Sequence, residues 1–539
     1  MKIIYTPNQS QWNKPPNLPY ESYISLSQNE WDDFGDRTSL NIKLVVNREE
    51  VIINSILKIK IENESYTYSY LNKLRQEGWD GEFPIPDVKY ISLANNILFY
   101  QALQSKFEID EIKKILSDLN DLIFLENFDE ESDNLILKSD SSFYSSLLRE
   151  SGEKLSYKEG YNIITEKKIN INDFDYVFFD KFKNRKKIRF NLNSNQLPYD
   201  INILIGPNGV GKSHLIKDIL KDMLSLNLKK DFDKNEILTS FNLIILISYS
   251  LFEEFDVDLN QYKQIQDKNV YKYFGFRRRK EGGEKIGVSR NTPSYDSAVS
   301  FLKCISDDIY FDYIEDWESK VKTIFEVLNK AFSFDDILLT DKNENLLSYS
   351  KLIRIFNVRE NNLKDDIDFS KGIIFRFEGN DVKLSSGQRF FTFMVINILA
   401  YIKKNTIVFI DEPELFLHPL LEIELFALLK EILTRFNSKA ILATHSLTLV
   451  REVPAKCVHV MKPESNEIFI NRPPFETFGG DMQRISTYVF GDNSVTKPFE
   501  EWLSNQLSKK DQKELINDLG DELNEEMLIK IINYGGNNV

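Results

Sequence analysis

Gly206-Pro207-Asn208-Gly209-Val210-Gly211-Lys212-Ser213 fits the pattern G-x-x-x-x-G-K-[ST]. Glycines at these spacings let a backbone curl so that its N–H groups point inward at an anion. A helix N-terminus beginning there adds its positive end. Lys212 is then placed to reach the β- and γ-phosphates of ATP, and the Ser213 hydroxyl to hold Mg²⁺. The apolar run Ile201–Ile205 before the octet and the helix-like stretch 214–224 after it supply the strand and helix that such a loop needs.

Three further clusters carry chemistry. The β-branched apolar run 406–410 ends in Asp411-Glu412-Pro413, which puts two carboxylates at the carboxyl end of a buried parallel strand, where α/β sheets bind ligands. Asp411 is a candidate Mg²⁺ ligand and Glu412 a candidate to polarise an attacking water. Neighbours on a strand point to opposite faces, so both can serve only if the strand breaks at Glu412, and Pro413 fits that break. A second buried run, 439–443, leads into Thr444-His445-Ser446, where a strand-terminal imidazole can donate to a γ-phosphate oxygen. Leu384-Ser385-Ser386-Gly387-Gln388 opens a helix starting near Gln388, and its hydroxyls and N–H groups offer an anion site. The other histidines, His214, His418 and His459, form no pair at zinc spacing, and His418 reads as a turn or interface residue.

These motifs need a scaffold, and the 539 residues exceed what one hydrophobic core usually serves. The spacing predicts an α/β architecture in five parts: an N-terminal accessory α+β lobe over 1–157, a first core segment over 158–250, a mixed helical insertion over 251–382, a second core segment over 383–472 and a helical tail over 473–539. In the first lobe, alternating Leu40, Ile42, Leu44 and Val46, then 56–61, read as paired strands, and 97–125 reads as helical. Trp31-Asp32-Asp33-Phe34-Gly35 reads as a packing and turn element.

Composition narrows the partners. A net charge of −15 repels polyanions, so nucleic-acid contact has to come from a local basic surface. Two tracts qualify. Arg277-Arg278-Arg279-Lys280 follows Tyr271, Tyr273, Phe274 and Phe276, and cations interleaved with aromatics can stack bases and neutralise phosphates. The tract 181–189 reads as a solvated hairpin tip. Two cysteines, Cys304 and Cys457, are too few for a disulfide framework and read as buried thiols. The chain start carries no extended apolar run and no run reaches the roughly 20 residues a bilayer demands, so a cytoplasmic protein without a membrane partner is expected.

Taken in order and spacing, the phosphate loop, Leu384–Gln388 with its Ser-Ser-Gly core, Phe409-Ile-Asp-Glu-Pro413 and Thr444-His-Ser446 resemble the nucleotide-binding domain of ABC-type ATPases. The wording Asp-Glu-Pro-Glu with Leu-His-Pro from Asp411 to Pro419 looks like the non-transporter branch of SMC-like, RecF-like and OLD-like proteins. The resemblance implies a mixed central sheet and a head-to-tail homodimer or higher oligomer. ATP would then lie between the phosphate loop of one copy and Ser386 to Gln388 of the other. The sequence departs from the family after 242–248, where Tyr249-Ser250-Leu251-Phe252 stands in place of the usual glutamine; Ser248 or a more distant glutamine is left to substitute. No acidic pattern of an OLD-like nuclease follows His445; Asp481, Asp492 and the acidic residues of 511–526 fit amphipathic helices instead.

Two classes of function follow. One is an ATPase subunit whose nucleotide-dependent dimerisation regulates a separate effector such as a nuclease, similar in layout to the stand-alone ATPases of Septu and retron anti-phage defence systems. The other is a repair or chromosome-maintenance ATPase that clamps DNA directly. A transporter subunit fits less well, because neither the first lobe nor the Asp-Glu-Pro-Glu wording suits it.

Overall fold

The computed structural model describes residues 1–7, 17–33, 35–51, 53, 55–140, 143–165, 173–193, 197–224, 241, 243–262, 265, 268–279, 285–310, 319–358, 363–491, 498–520 and 522–533. They form two compact units, Met1–Gly479 and Gly480–Val539. Among them no helix is long and apolar enough to cross a membrane.

The first unit begins with a lobe built on six strands: β1 (Lys2–Thr6), β2 (Tyr23–Gln28), β3 (Ser39–Val46), β4 (Glu49–Val51), β5 (Ile56–Ile61) and β6 (Tyr90–Ala94). Their order is β1-β2-β3-β5-β6, with β4 on β3. β1 runs parallel to β2 and the other pairs are antiparallel. Helices α1 (Thr67–Gln76), α2 (Leu98–Lys106), α3 (Ile109–Asp118), α4 (Leu122–Phe128) and α5 (Ser151–Ile164) complete a shared apolar core with Tyr5, Leu57, Phe99 and Leu155. Asp33, in the turn element read from the sequence, is wholly buried there with Lys58 and Glu153. Lys58 Nζ lies 3.0 Å from Asp33 Oδ2 and 2.7 Å from Glu153 Oε1.

A hairpin, β7 (Phe174–Phe179) with β8 (Arg185–Phe190), leads into β9 (Ile201–Ile205), α6 (Lys212–Met223) and β10 (Leu243–Ser248). α6 buries Leu215, Ile216, Ile219, Leu220 and Met223, a stripe at helical spacing that seats it on the sheet. The stretch expected as a helical insertion also supplies β11 (Tyr271–Gly275) to the central sheet. It then forms a small hairpin, β12 (Arg277–Arg279) with β13 (Ile286–Val288), and an antiparallel sheet of β14 (Asp336–Thr340), β15 (Leu346–Ser348), β16 (Ile374–Phe377) and β17 (Asn380–Asp381). Helices α7 (Thr292–Tyr310), α8 (Lys320–Ala331), α9 (Tyr349–Val358) and α10 (Leu363–Asp366) belong to the same stretch. α7 and α8 pack on α11 (Ser386–Tyr401).

The remaining core elements are β18 (Thr406–Asp411), α12 (Pro419–Arg435), β19 (Lys439–Thr444), α13 (Leu447–Val450), β20 (Val458–Glu464) and β21 (Glu467–Asn471). The central sheet has the order β11-β10-β18-β19-β9-β20-β21, parallel throughout except for β21. Every residue of β9, β10, β18 and β19 is buried, which is why these strands read as unbroken apolar runs. The register brings their carboxyl ends level. Ser248 pairs with Asp411, Asp411 with Ala443, and Thr444 with Ile205. The fold is thus an α/β P-loop ABC-like domain with a mixed sheet, preceded by a mixed-sheet lobe.

The second unit holds α14 (Met482–Phe490), α15 (Pro498–Leu507), α16 (Gln512–Leu519) and α17 (Glu525–Asn533), with Leu503, Leu515 and Ile531 in its core. Asp492 lies outside the described residues.

The buried ion pairs of the first lobe yield a stability prediction. Lys58→Ala leaves buried Glu153 without its cation, while Asp33 keeps Arg149 Nη1 at 2.6 Å, and equilibrium denaturation is expected to show a loss of about 3–5 kcal/mol.

Candidate nucleotide site

The phosphate loop joins β9 to α6. Gly211, at φ 107°, is the N-cap of α6, a left-handed conformation that a side chain would strain. Gly206 runs against β20, where an added Cβ would lie 2.2 Å from the Met461 carbonyl oxygen. Lys212 opens the helix and turns back into the loop, with Nζ donating to the Gly206 carbonyl at 3.0 Å and to His445 Nε2 at 2.6 Å. Burial pulls the Lys212 ammonium below its ordinary pKa, opposed by Glu412, Glu414 and Asp411.

The two hydroxyls and one carboxylate beside it are hard oxygen donors. Ser213 Oγ donates to Asp411 Oδ1 at 2.9 Å, and Ser248 Oγ to Asp411 Oδ2 at 3.3 Å. Burial pushes the Asp411 carboxyl up to about 7; Glu412 and Glu253 add to the shift, while the Ser213 and Ser248 hydroxyls oppose it. A divalent cation among these oxygens would offset that penalty, and the donor set suits Mg²⁺, which needs few protein ligands when phosphates and water complete its shell. Ser248 occupies the place where the sequence left the glutamine open. The next residue, Tyr249, turns into an aromatic cluster with Phe276 and Phe390.

Glu412 adopts φ 51° and ψ 58°, so the strand breaks at the residue where the sequence required it. This left-handed backbone costs about 1–3 kcal/mol. Buried Pro413 and the Glu412 N–H, which donates to the Ala443 carbonyl at 2.8 Å, hold it in place. The turn sends the Glu412 carboxylate to His445, Oε1 lying 3.9 Å from Nε2. Burial and then Lys212 push the His445 imidazole down to about 4, so the ring is neutral near pH 7.

Two carboxylates absent from the sequence candidates grip the segment around His445. Glu414 Oε2 accepts from Thr444 Oγ1 at 2.7 Å, its Oε1 accepts the His445 backbone N–H, and Glu422 Oε2 accepts from Ser446 Oγ. The only sequence signal for Glu414 was its place in the Asp-Glu-Pro-Glu wording.

The turn Leu384-Ser385-Ser386-Gly387-Gln388 forms a reciprocal cap at the start of α11. Ser385 Oγ accepts the Gln388 N–H at 3.3 Å, and Gln388 Oε1 accepts the Ser385 N–H at 2.9 Å. Ser385 and Ser386 are exposed, and among the described residues no hydrogen bond joins this turn to the phosphate loop of the same chain. The remaining candidates lie apart. Arg279 grips Asp258 through Nε at 2.7 Å and Nη2 at 2.8 Å, Arg277 pairs with Glu254 at 3.2 Å, and Arg278 stacks on Tyr295 at 3.9 Å. These three arginines are engaged within the chain and do not present an open basic surface; Lys280 lies outside the described residues. His418 caps α12, and His459 is buried with Nε2 3.1 Å from Asn202 Oδ1.

Residues 201–451 match the family model described as "AAA domain, putative AbiEii toxin, Type IV TA system". Protein ea59 of Escherichia phage lambda is 25% identical over 448 residues, covering 80% of this chain and 78% of that protein. Among solved structures, the SMC head domain from Thermotoga maritima is 13% identical with a TM-score of 0.27, covering 56% of this chain and 99% of that one. The ADP conformation of MJ1267, an ATP-binding cassette of an ABC transporter, is 15% identical with a TM-score of 0.27, covering 60% of this chain and 95% of that one. The residues matched by this AAA-domain model, 201–451, hold the phosphate loop and the level strand ends.

Proposed function

We propose that this chain binds ATP with Mg²⁺, hydrolyses it, and uses nucleotide-dependent dimerisation to regulate a separate effector. One observation carries the reading: Lys212, Ser213, Asp411, Glu412 and His445, drawn from across 234 residues of sequence, converge where β9, β18 and β19 end. Lys212 Nζ, which donates to the Gly206 carbonyl and the His445 imidazole, would turn those donors to the β- and γ-phosphates. Ser213 and Asp411 would hold Mg²⁺, which would supply charge neutralisation at the phosphates. Glu412 accepts a proton from the attacking water, and the neutral His445 ring donates its N–H to a γ-phosphate oxygen.

The exposed Ser385 and Ser386 at the start of a helix of 16 residues support an ATP shared between two copies. The N–H groups of that helix end favour an anion. The family description, a toxin of a type IV TA system, supports a role in such a system and with it the effector.

A second reading, direct clamping of nucleic acid, is favoured by β8. Its outward residues Arg185, Lys187 and Arg189 are all exposed at alternate positions, beside exposed Phe179 on β7. Among the described residues the Lys187 and Arg189 side chains pair with Asp175 at 2.8 Å and Asp173 at 3.8 Å, surface pairs of little energetic weight.

Glu412→Gln is expected to keep ATP affinity while hydrolysis falls about 10²–10⁴-fold, and Lys212→Ala to abolish ATP binding; calorimetry and a phosphate-release assay check both. Normal turnover by the Gln variant would remove Glu412 from the mechanism. Ser248→Ala is expected to weaken Mg²⁺ affinity about 10–100-fold, read as a rise in the Mg²⁺ concentration giving half-maximal turnover. If ATP promotes DNA binding, changing Arg185, Lys187 and Arg189 together to Gln is expected to lower the salt slope of that binding by roughly 3; an unaltered slope and affinity would discard the clamp.

A further inference from the structure

We infer that Glu414 and Glu422 are positioning residues for His445, and that Glu414 makes the water-polarising carboxylate and the γ-phosphate-facing imidazole move as one body. The inference rests on the hydrolytic reading above and deepens it. Neither carboxylate is hydrogen-bonded to 206–213 among the described residues, and Glu414 acts on the phosphate loop only through its charge on Lys212.

The geometry is a clasp around three consecutive residues. Glu414 sits in the turn Pro413–Leu415, directly after Glu412, and reaches across to the end of β19. One of its oxygens takes the Thr444 hydroxyl at 2.7 Å and the other the backbone N–H of His445. Thr444 Oγ1 in turn accepts the Ser446 N–H at 2.9 Å. Ser446 Oγ donates to Glu422 and accepts the Leu449 N–H at 3.2 Å, which caps α13. Glu422 is itself buried, in the first turn of α12, whose start is set by His418 and Pro419.

A carboxylate that accepts from the hydroxyl of one residue and the backbone N–H of the next fixes the backbone between them. Charge-assisted bonds of this kind are shorter and roughly twice as strong as neutral ones. The backbone at His445 is therefore tied to the turn that carries Glu412, while Glu422 ties the following residue to α12. The Glu412 N–H, bonded to Ala443, adds a third tie between the same two segments. Any motion that brought Glu412 toward a γ-phosphate would carry His445 with it. A misplacement of such a group by about 1 Å can cost 10²-fold in rate.

The test compares Glu414→Ala, Glu414→Gln and Glu422→Ala in the full chain, with ATP affinity, turnover and the imidazole NMR signals of labelled histidine. The chain has only 4 histidines, so His445 can be assigned by substitution. For Glu414→Ala we expect ATP affinity within about threefold of wild type, turnover lower by about a hundredfold, and a shifted or broadened His445 signal beside unchanged His214 and His459 signals. Glu414→Gln, whose amide oxygen can still accept the His445 N–H, should regain about tenfold of the lost turnover, and Glu422→Ala should lose about tenfold. An unmoved His445 signal in Glu414→Ala would overturn the inference. So would loss of ATP binding in both Glu414 variants to the level of Lys212→Ala, which would mark general damage to the fold. Should the wild type hydrolyse no ATP, the hydrolytic reading fails, and the His445 signal still decides whether the clasp exists.

Discussion

The site turns on one buried carboxylate. Asp411 ends a strand covered on both faces, and its oxygens meet two serine hydroxyls, Ser213 and Ser248, at 2.9 and 3.3 Å. Hydroxyls relieve little of the cost of burying a charge, so the carboxyl is driven up to about 7. That tension requires the strands to end level, because the two hydroxyls come from α6 and β10 on either side of the chain segment that carries Asp411. Positive charge placed beside Asp411 would favour the ionised form, which suits a hard cation.

Around that centre the structure spends backbone strain to gain reach. A regular strand would turn Glu412 away from the face Asp411 uses. The left-handed residue, locked by Pro413 and by the bond to Ala443, converts adjacent sequence positions into neighbouring chemistry. The same turn carries Glu414 to the end of β19, where it holds the Thr444 hydroxyl and the His445 backbone N–H. The capped start of α11 carries two exposed serines, and among the described residues no hydrogen bond joins it to the phosphate loop of the same chain.

Much of this was legible in the sequence, for reasons that differ by residue. The phosphate loop, the Asp-Glu pair and Thr-His-Ser are local: their geometry follows from a strand ending and a loop beginning, which apolar runs and glycine or proline signal directly. The break at Glu412 followed from the need for both carboxylates to serve one site, and Pro413 fitted it. Ser248 stayed open because its role depends on register with β18, and register between distant strands is not written in local pattern. Glu414 and Glu422 were missed for the same reason, since their partners lie 31 and 24 residues away. The tract at Arg277 was overvalued because composition counts charges without their partners; Glu254 and Asp258, some twenty residues earlier, fold back onto it. Of the aromatics read as able to stack bases, Tyr271, Tyr273 and Phe274 lie in the edge strand beside β10, and these three and Phe276 are buried.

The most direct measurement is the structure of the Glu412→Gln protein with ATP and Mg²⁺. The account predicts a γ-phosphate held by Lys212 of one copy and approached by Ser386 of a second, with the metal on Ser213 and Asp411. A triphosphate bound within a single copy, its metal away from Asp411 and the Ser385–Ser386 turn facing solvent, would contradict it.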